Sequence, residues 1–250
     1  MNLNIINPFG SPYEVWQTRE LTLLERLDMR QQKVWKPHLS IKVKIDKIIR
    51  SAMDAAEFLA ADQQEHRLDR FVVKYLDSCN EYSSWLSHMP KPIPEALLEY
   101  QNSYRLSDLD IVNELVELHG LSIPNGQILF HGGVWPTDFS GKYSTELVID
   151  RVLSTSFCPK VALNNGEWMG KAWDAGRLDL LLINLKSSTI KAFIFDKDLP
   201  GNGNELEVLF AKGAKLKLKS IKKINNRRVV NKYNCKSKKI HTHILSVDLS

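Results

Sequence analysis

The segment Glu205-Leu206-Glu207-Val208-Leu209-Phe210 is the feature that most constrains the fold of this chain. Its apolar positions recur at every second residue, the period of a β-strand. Leu206, Val208 and Phe210 are expected on a core-facing side, with Glu205 and Glu207 together on the other. The polar run Pro200-Gly201-Asn202-Gly203-Asn204 precedes it and reads as a loop. Two carboxylates this close repel, so at least one pKa rises and the pair attracts a cation or a polar substrate. A solvated strand face is the bland alternative, since Glu-x-Glu is common there. The rest of the chain decides between the two.

Upstream, the pattern is helical. Tyr13 to Trp35, Ile41 to Ala61 and Leu68 to Leu86 carry apolar residues at helical spacing. Met89-Pro90-Lys91-Pro92-Ile93-Pro94 breaks the run, and Pro94 suits the first turn of a short helix through Tyr100. Ser107 and Asp108 offer caps for a helix from Ile111 to Leu118, which His119-Gly120 stops. Beyond this point short strands predominate: Gln127–His131, Val148–Phe157, Leu178–Leu185, Ile190–Phe195, Glu205–Phe210, Lys215–Ile221, Arg228–Tyr233 and His241–Asp248. Pro159 to Trp173 reads as an intervening helix. The expectation is an α+β fold: a helical N-terminal lobe over residues 1–120, then a mainly antiparallel, β-rich core over 121–250.

Composition narrows the class. A hydrophobic content of 43% over 250 residues supports a sizeable core. No apolar run reaches the ~18–20 residues that span a bilayer, and the first residues lack the pattern of a cleavable signal peptide. Cys79, Cys158 and Cys235 are too few and too far apart for a disulfide framework or a metal knuckle. They point to a reducing compartment, with signal-less export left open. His241-x-His243 has no acid or cysteine cluster beside it, so no metal site is expected. The net charge of +5 is concentrated between Lys212 and Lys239, where twelve Lys and Arg stand without an acid. Such a stretch suits nucleic acid, an anionic membrane or an acidic protein. Leu216 and Leu218 alternating with lysines equally suit a solvated edge strand.

Three segments of the second half belong together: Leu129-Phe130-His131-Gly132, Leu153-Ser154-Thr155-Ser156-Phe157, and Glu205-Leu206-Glu207. Each is ordinary alone. In this order, over roughly residues 121–250, they resemble the mono-ADP-ribosyltransferases of the cholera- and clostridial-toxin type. That resemblance implies NAD as substrate and no metal. It assigns Glu207 to the nicotinamide ribose, where a fixed carboxylate stabilises the positive charge of glycosidic cleavage. Glu205 would meet the acceptor and help remove its proton. Ser154 would orient Glu207, and Gly132 would bring its backbone to the nicotinamide amide. His131, Thr155, Ser156 and Phe157 complete the implied cofactor positions. Phe157 or Trp173 would stack on nicotinamide, unless both are core residues, and the loop at 200–204 would touch the target. His131 departs from the pattern, standing where this group has Arg. A His-Gly pair is typical instead of the diphtheria-toxin and poly-ADP-ribose polymerase branch. Arginine holds phosphates with a charged fork, whereas a histidine of pKa around 6.5 is mostly neutral at pH 7. Arg151 is expected on the face opposite Ser154 and does not replace it.

The resemblance implies an enzyme that transfers ADP-ribose from NAD to a protein in a host or competitor cell, with arginine as the acceptor. It also implies a secreted effector acting in host cytosol, or alternatively a cytoplasmic enzyme; a nucleic-acid target is the lesser partner. The competing expectations are an NAD glycohydrolase, with water as acceptor, and a catalytically weak binding module on the same fold.

Overall fold

The computed structural model describes residues 3–32, 40–61, 67–103, 109–186, 189–199, 205–231 and 236–250, apart from the side chains of 225 and 226. The chain divides into two compact units, residues 9–51 and residues 1–8 with 52–250.

The small unit corrects the first expected helix and the first half of the second, whose remainder, Ala52–Ala61, is helical. β1 (Tyr13–Glu20) pairs antiparallel with β2 (Ser40–Ile49), and α1 (Leu23–Gln31) lies between them in sequence. Ile41, Val43 and Ile45 alternate with lysines, and β-branched residues suit a pleated surface better than a helix. Over so short a run, periods of 2 and 3.6 are easily confused. Helix α1 starts only at Thr22, whose hydroxyl accepts from the Glu25 amide while the Glu25 carboxylate returns to the Thr22 amide. This capping box supplies two otherwise orphaned amides with partners. Trp35 and Pro37, expected to end the helix, lie outside the described residues.

The large unit contains α2 (Ala52–Ala61), α3 (Leu68–Asp77), α4 (Asn80–Leu86), α5 (Glu95–Asn102) and α6 (Leu109–His119). The expected third helix is thus two, parted at Ser78-Cys79. Ser107 and Asp108, expected as caps, lie outside the described residues. These helices fall in the same compact unit as the sheet. Their side chains explain why. The Tyr82 hydroxyl donates to the Phe195 carbonyl at 3.2 Å, and the Lys212 amide donates to Asn113 Oδ1 at 2.8 Å. Lys160 Nζ pairs with Asp69 Oδ2 at 3.1 Å.

Among the described residues nine strands form the main sheet: β3 (Leu121–Ser122), β4 (Ile128–Gly133), β5 (Glu146–Val148), β6 (Leu153–Ser156), β7 (Arg177–Leu185), β8 (Lys191–Ile194), β9 (Glu207–Phe210), β10 (Lys215–Val230) and β11 (Ser237–Leu249). Their spatial order is β3-β8-β9-β6-β4-β7-β11-β10-β5, antiparallel throughout except between β7 and β11. The fold is α+β, with a mainly antiparallel sheet. The expected strand Val148–Phe157 is two strands, β5 and β6, and the expected helix Pro159–Trp173 is interrupted. It runs as α7 (Pro159–Glu167), a 3₁₀ turn at Trp168–Gly170 and α8 (Lys171–Ala175). Met169 has φ +59° there, a left-handed backbone that ends a regular helix.

Helix α7 lies directly on β4. A Cβ on Gly132 would stand 1.8 Å from the Ala162 carbonyl oxygen, and one on Gly166 would stand 3.0 Å from the Gly132 carbonyl carbon. The two glycines therefore set how closely helix and strand approach. We expect Gly132→Ala to destabilise the fold by roughly 2–4 kcal/mol through overpacking. Gly141→Ala, in open space but at φ +80°, should cost about 1 kcal/mol. Denaturant melts of both variants check the order, and an unchanged midpoint for Gly132→Ala would contradict the close contact.

Candidate active site

The three motifs fall on three adjacent strands, β4, β6 and β9. Phe130 stands opposite Ser156, and Ser156 stands opposite Glu207. Side chains on a strand alternate, so Ser154, Ser156 and Glu207 share the face that carries Phe130 and Gly132. Ser156 and Glu207, 51 positions apart, thus meet through register alone.

Glu207 is the centre of this arrangement. It is 3% exposed, and Val208, Leu209 and Phe210 are also buried, so β9 is covered on both faces. Burial pushes the Glu207 carboxyl up to about 8; the neighbouring Glu205 adds to the rise, and a hydrogen bond from the Ser154 side chain opposes it. Among the described residues Glu207 Oε2 has no hydrogen-bond partner. A buried polar atom without a partner costs about 1–3 kcal/mol, which a folded chain tolerates where a ligand supplies that partner.

Glu205 reaches the same place differently from the expectation. Strand β9 begins at Glu207, and Leu206 adopts φ +51°, a left-handed conformation rare for a branched residue. Glu205 is therefore held by a turn and does not share a strand face. The turn is fixed by Ser156, whose hydroxyl donates to the Glu205 carbonyl at 2.7 Å and accepts from the Cys158 amide at 3.1 Å. Burial raises the Glu205 pKa as well. Leu206 itself is buried and anchors the turn.

Other expected residues have different surroundings. Thr155 points to the opposite face, with its hydroxyl donating to the Val208 carbonyl at 2.6 Å. Phe157 is 1% exposed, packed edge-on to Tyr82 and tilted against Trp85, both with centroids 6.0 Å away. It is a core ring with no free face. Trp173 is half-buried and carries Lys238 Nζ 4.7 Å from its ring centroid. Gly132 is required by α7, so its missing Cβ reflects helix packing and not room for a ligand. The loop at 200–204 lies outside the described residues.

His131 lies on the opposite face from Ser154 and Glu207 by register, yet its Nδ1 is 2.7 Å from the Ser154 carbonyl. A carbonyl only accepts, so Nδ1 carries the proton. Burial lowers the His131 pKa, and the positive charges of Lys171 and Arg151 reinforce that against the Ser154 bond. At neutral pH the ring is uncharged and its Nε2 is an acceptor. It can take a hydroxyl proton but cannot clamp a phosphate as arginine does.

A second buried cluster escaped the sequence analysis. Asp179 on β7 is fully buried and accepts from the Trp135 amide at 2.8 Å. Arg177 Nε lies 3.1 Å and His243 Nδ1 3.3 Å from it. The Tyr143 hydroxyl is 3.2 Å from the same His243 nitrogen. An Arg-x-Asp pair inside an otherwise apolar strand was the available signal. The cluster ties the chain after β4 to β7 and β11, next to His131-Gly132. It also gives His243 a partner that is not a metal. No group of three or more His, Cys, Asp or Glu suited to a metal occurs among the described residues.

No protein-family model matches the chain, and no curated protein matches it. Among solved structures it is similar to the Vis toxin, an ADP-ribosyltransferase from Vibrio splendidus, at 13% identity and a TM-score of 0.42. That match covers 79% of this chain and 90% of that one. It is also similar to the enzymatic component C2-I of the C2 toxin of Clostridium botulinum, at 14% identity and a TM-score of 0.40, covering 68% of this chain and 45% of that one. A third is Plx2a, an ADP-ribosyltransferase toxin from Paenibacillus larvae, at 13% identity and a TM-score of 0.38, covering 73% and 96%. No residue role is carried over from these likenesses.

The buried carboxyl makes a prediction about stability. Folded Glu207 keeps its proton to about pH 8, whereas an unfolded glutamate releases it near 4.5. Between those values the folded chain binds the extra proton, so this contribution to stability is full below the lower value and lost as pH rises through the higher one. Glu207→Gln removes the titration. We expect it to gain on the wild type as pH rises from about 5 to about 9, by roughly 1–3 kcal/mol at the upper end. Thermal melts across pH measure this, and a difference that does not change with pH would contradict it.

Proposed function

We propose that the chain is a mono-ADP-ribosyltransferase that uses NAD and modifies a protein. The observation that carries this reading is Glu207: a buried carboxyl with one unpartnered oxygen, oriented by Ser154 and flanked by Glu205. The orphaned Oε2 fits a ribose hydroxyl, which would supply the missing donor. The diphosphate gains no charge from His131, which is neutral and lies on the opposite face of the sheet.

NAD contributes a glycosidic bond whose cleavage leaves positive charge on the nicotinamide ribose. The residues of the chain then divide the work. Glu207 accepts from the ribose hydroxyl and, once ionised, offers negative charge where that positive charge develops. Its pKa of about 8 disfavours the ionised form in the free protein, and a bound cationic nicotinamide would pull the value down. Ser154 holds the carboxyl in one rotamer. Glu205, fixed by the Leu206 turn and by Ser156, receives the proton of the incoming acceptor. His131, on the opposite face of the sheet, acts through Ser154, whose carbonyl it holds. The paired carboxylates suit a cationic acceptor, and we take arginine as the residue modified. Delivery as a bacterial effector into another cell belongs to the same proposal.

The test incubates labelled NAD with the protein and host-cell lysate. Labelled lysate protein is expected from the wild type. Glu207→Ala should abolish it, by at least about a thousandfold. Glu205→Gln should lower transfer by roughly a hundredfold while nicotinamide is still released. Release of nicotinamide without labelled protein from the wild type would assign the activity to water as acceptor. No consumption of NAD, or full labelling by Glu207→Ala, would overturn the proposal.

A further inference from the structure

The outer face of the β10–β11 hairpin carries charge that the fold leaves unanswered. Register sorts the basic residues of these strands onto two faces. On the inner face three of them have partners: Lys222 pairs with Glu57 at 2.6 Å, Arg227 pairs with Glu167, and Lys238 lies over the Trp173 ring. On the outer face stand Lys223, Arg228 and Lys239, all exposed, together with His241. Arg228 and Lys239 are directly opposite each other in the ladder, an arrangement that destabilises a strand pair. Among the described residues none of Lys223, Arg228 and Lys239 has an acidic partner.

Apolar residues are exposed on the same face. Ile221 and Val230 alternate with these cations and point outward. Lys223 stands opposite His243 in the ladder, and a tight turn is anchored there by Tyr143, which contacts His243 at 3.2 Å and lies under the Arg177 guanidinium at 4.8 Å. That turn is built on Asp138, whose Oδ1 accepts from the Ser140 amide, the Ser140 hydroxyl and the Lys142 amide. Phe139 sits within it, fully exposed. A rigid turn that presents a bare phenylalanine has no role in the core.

We propose that this face docks onto an anionic lipid bilayer. Lys223, Arg228, Lys239 and Lys142 would meet acidic headgroups, and Phe139, Ile221 and Val230 would enter the boundary with the acyl chains. A nucleic acid is the poorer fit. It offers phosphate to the cations, but branched aliphatic side chains neither stack on bases nor find an apolar surface along a duplex. A bilayer offers anionic groups above apolar chains, and it needs no complementary pocket.

The experiment is co-sedimentation of the full chain with phosphatidylcholine vesicles, with and without phosphatidylserine, at low and high salt. Binding is expected only with phosphatidylserine, and it should weaken as salt rises. The triple variant Lys223→Glu, Arg228→Glu, Lys239→Glu should bind at least about tenfold more weakly, and Lys→Gln and Arg→Gln at the same positions should lose less. Phe139→Ser should weaken binding several-fold while the salt dependence persists. Circular dichroism and melting temperature confirm that each variant is folded. Equal binding to both vesicle types, no binding to either, or wild-type binding by the folded triple variant would overturn the proposal. Tighter binding to duplex DNA, duplex RNA or polyglutamate than to the acidic vesicles would overturn it as well.

Discussion

A carboxyl group held away from water, with one oxygen lacking a donor, is the constraint around which this sheet is arranged. Glu207 sits on a strand that is buried on both faces, and among the described residues Ser154 is the side chain that hydrogen-bonds it. The unmet acceptor opposes folding. It persists because the surrounding register over-determines it: Ser156 is opposite Glu207, Phe130 is opposite Ser156, and α7 closes on Gly132. Slipping β9 by one residue would turn the glutamate to the other face.

The strain beside it has the same origin. Leu206 is forced into a left-handed backbone between the two glutamates, and its buried side chain together with the Ser156 hydroxyl holds it there. This turn gives Glu205 and Glu207 different surroundings, one half-buried at the end of a turn and one fully enclosed in a strand. Two carboxylates in unlike environments can take unlike tasks. On the far side of the sheet, His131 is neutral and tied to the Ser154 carbonyl, and the Asp179 cluster fixes the chain that follows it. The histidine thus fixes the strand that carries Ser154 and brings no positive charge.

Much of this was legible in the sequence, for local reasons. Glu207, Ser154 and Ser156 lie in short segments whose alternation survives in the fold, and their order along the chain is the order in which the strands are made. What the sequence hid depends on long-range contact. Nothing near Phe157 indicates that Tyr82 and Trp85 will enclose its ring. The carbonyl of Ala162 that makes Gly132 necessary is 30 residues away. The left-handed Leu206 cannot be read from a leucine, and it changed the reason why Glu205 lies beside Glu207. Likewise Ile41, Val43 and Ile45 fit a helix and a strand equally until the neighbouring strand β1 decides. Asp179 was overlooked because its partners come from β11 and from the segment after β4.

The central claim is that Glu207 is kept protonated by burial until a ribose with its cationic base occupies the site. Carboxyl-carbon NMR of the glutamate-labelled protein, with Glu207→Gln identifying the resonance, reads its titration directly. We predict a midpoint of about 8 in the free protein, moving downward on addition of NAD. A midpoint near that of an ordinary glutamate, or a raised midpoint that NAD leaves in place, would contradict the account.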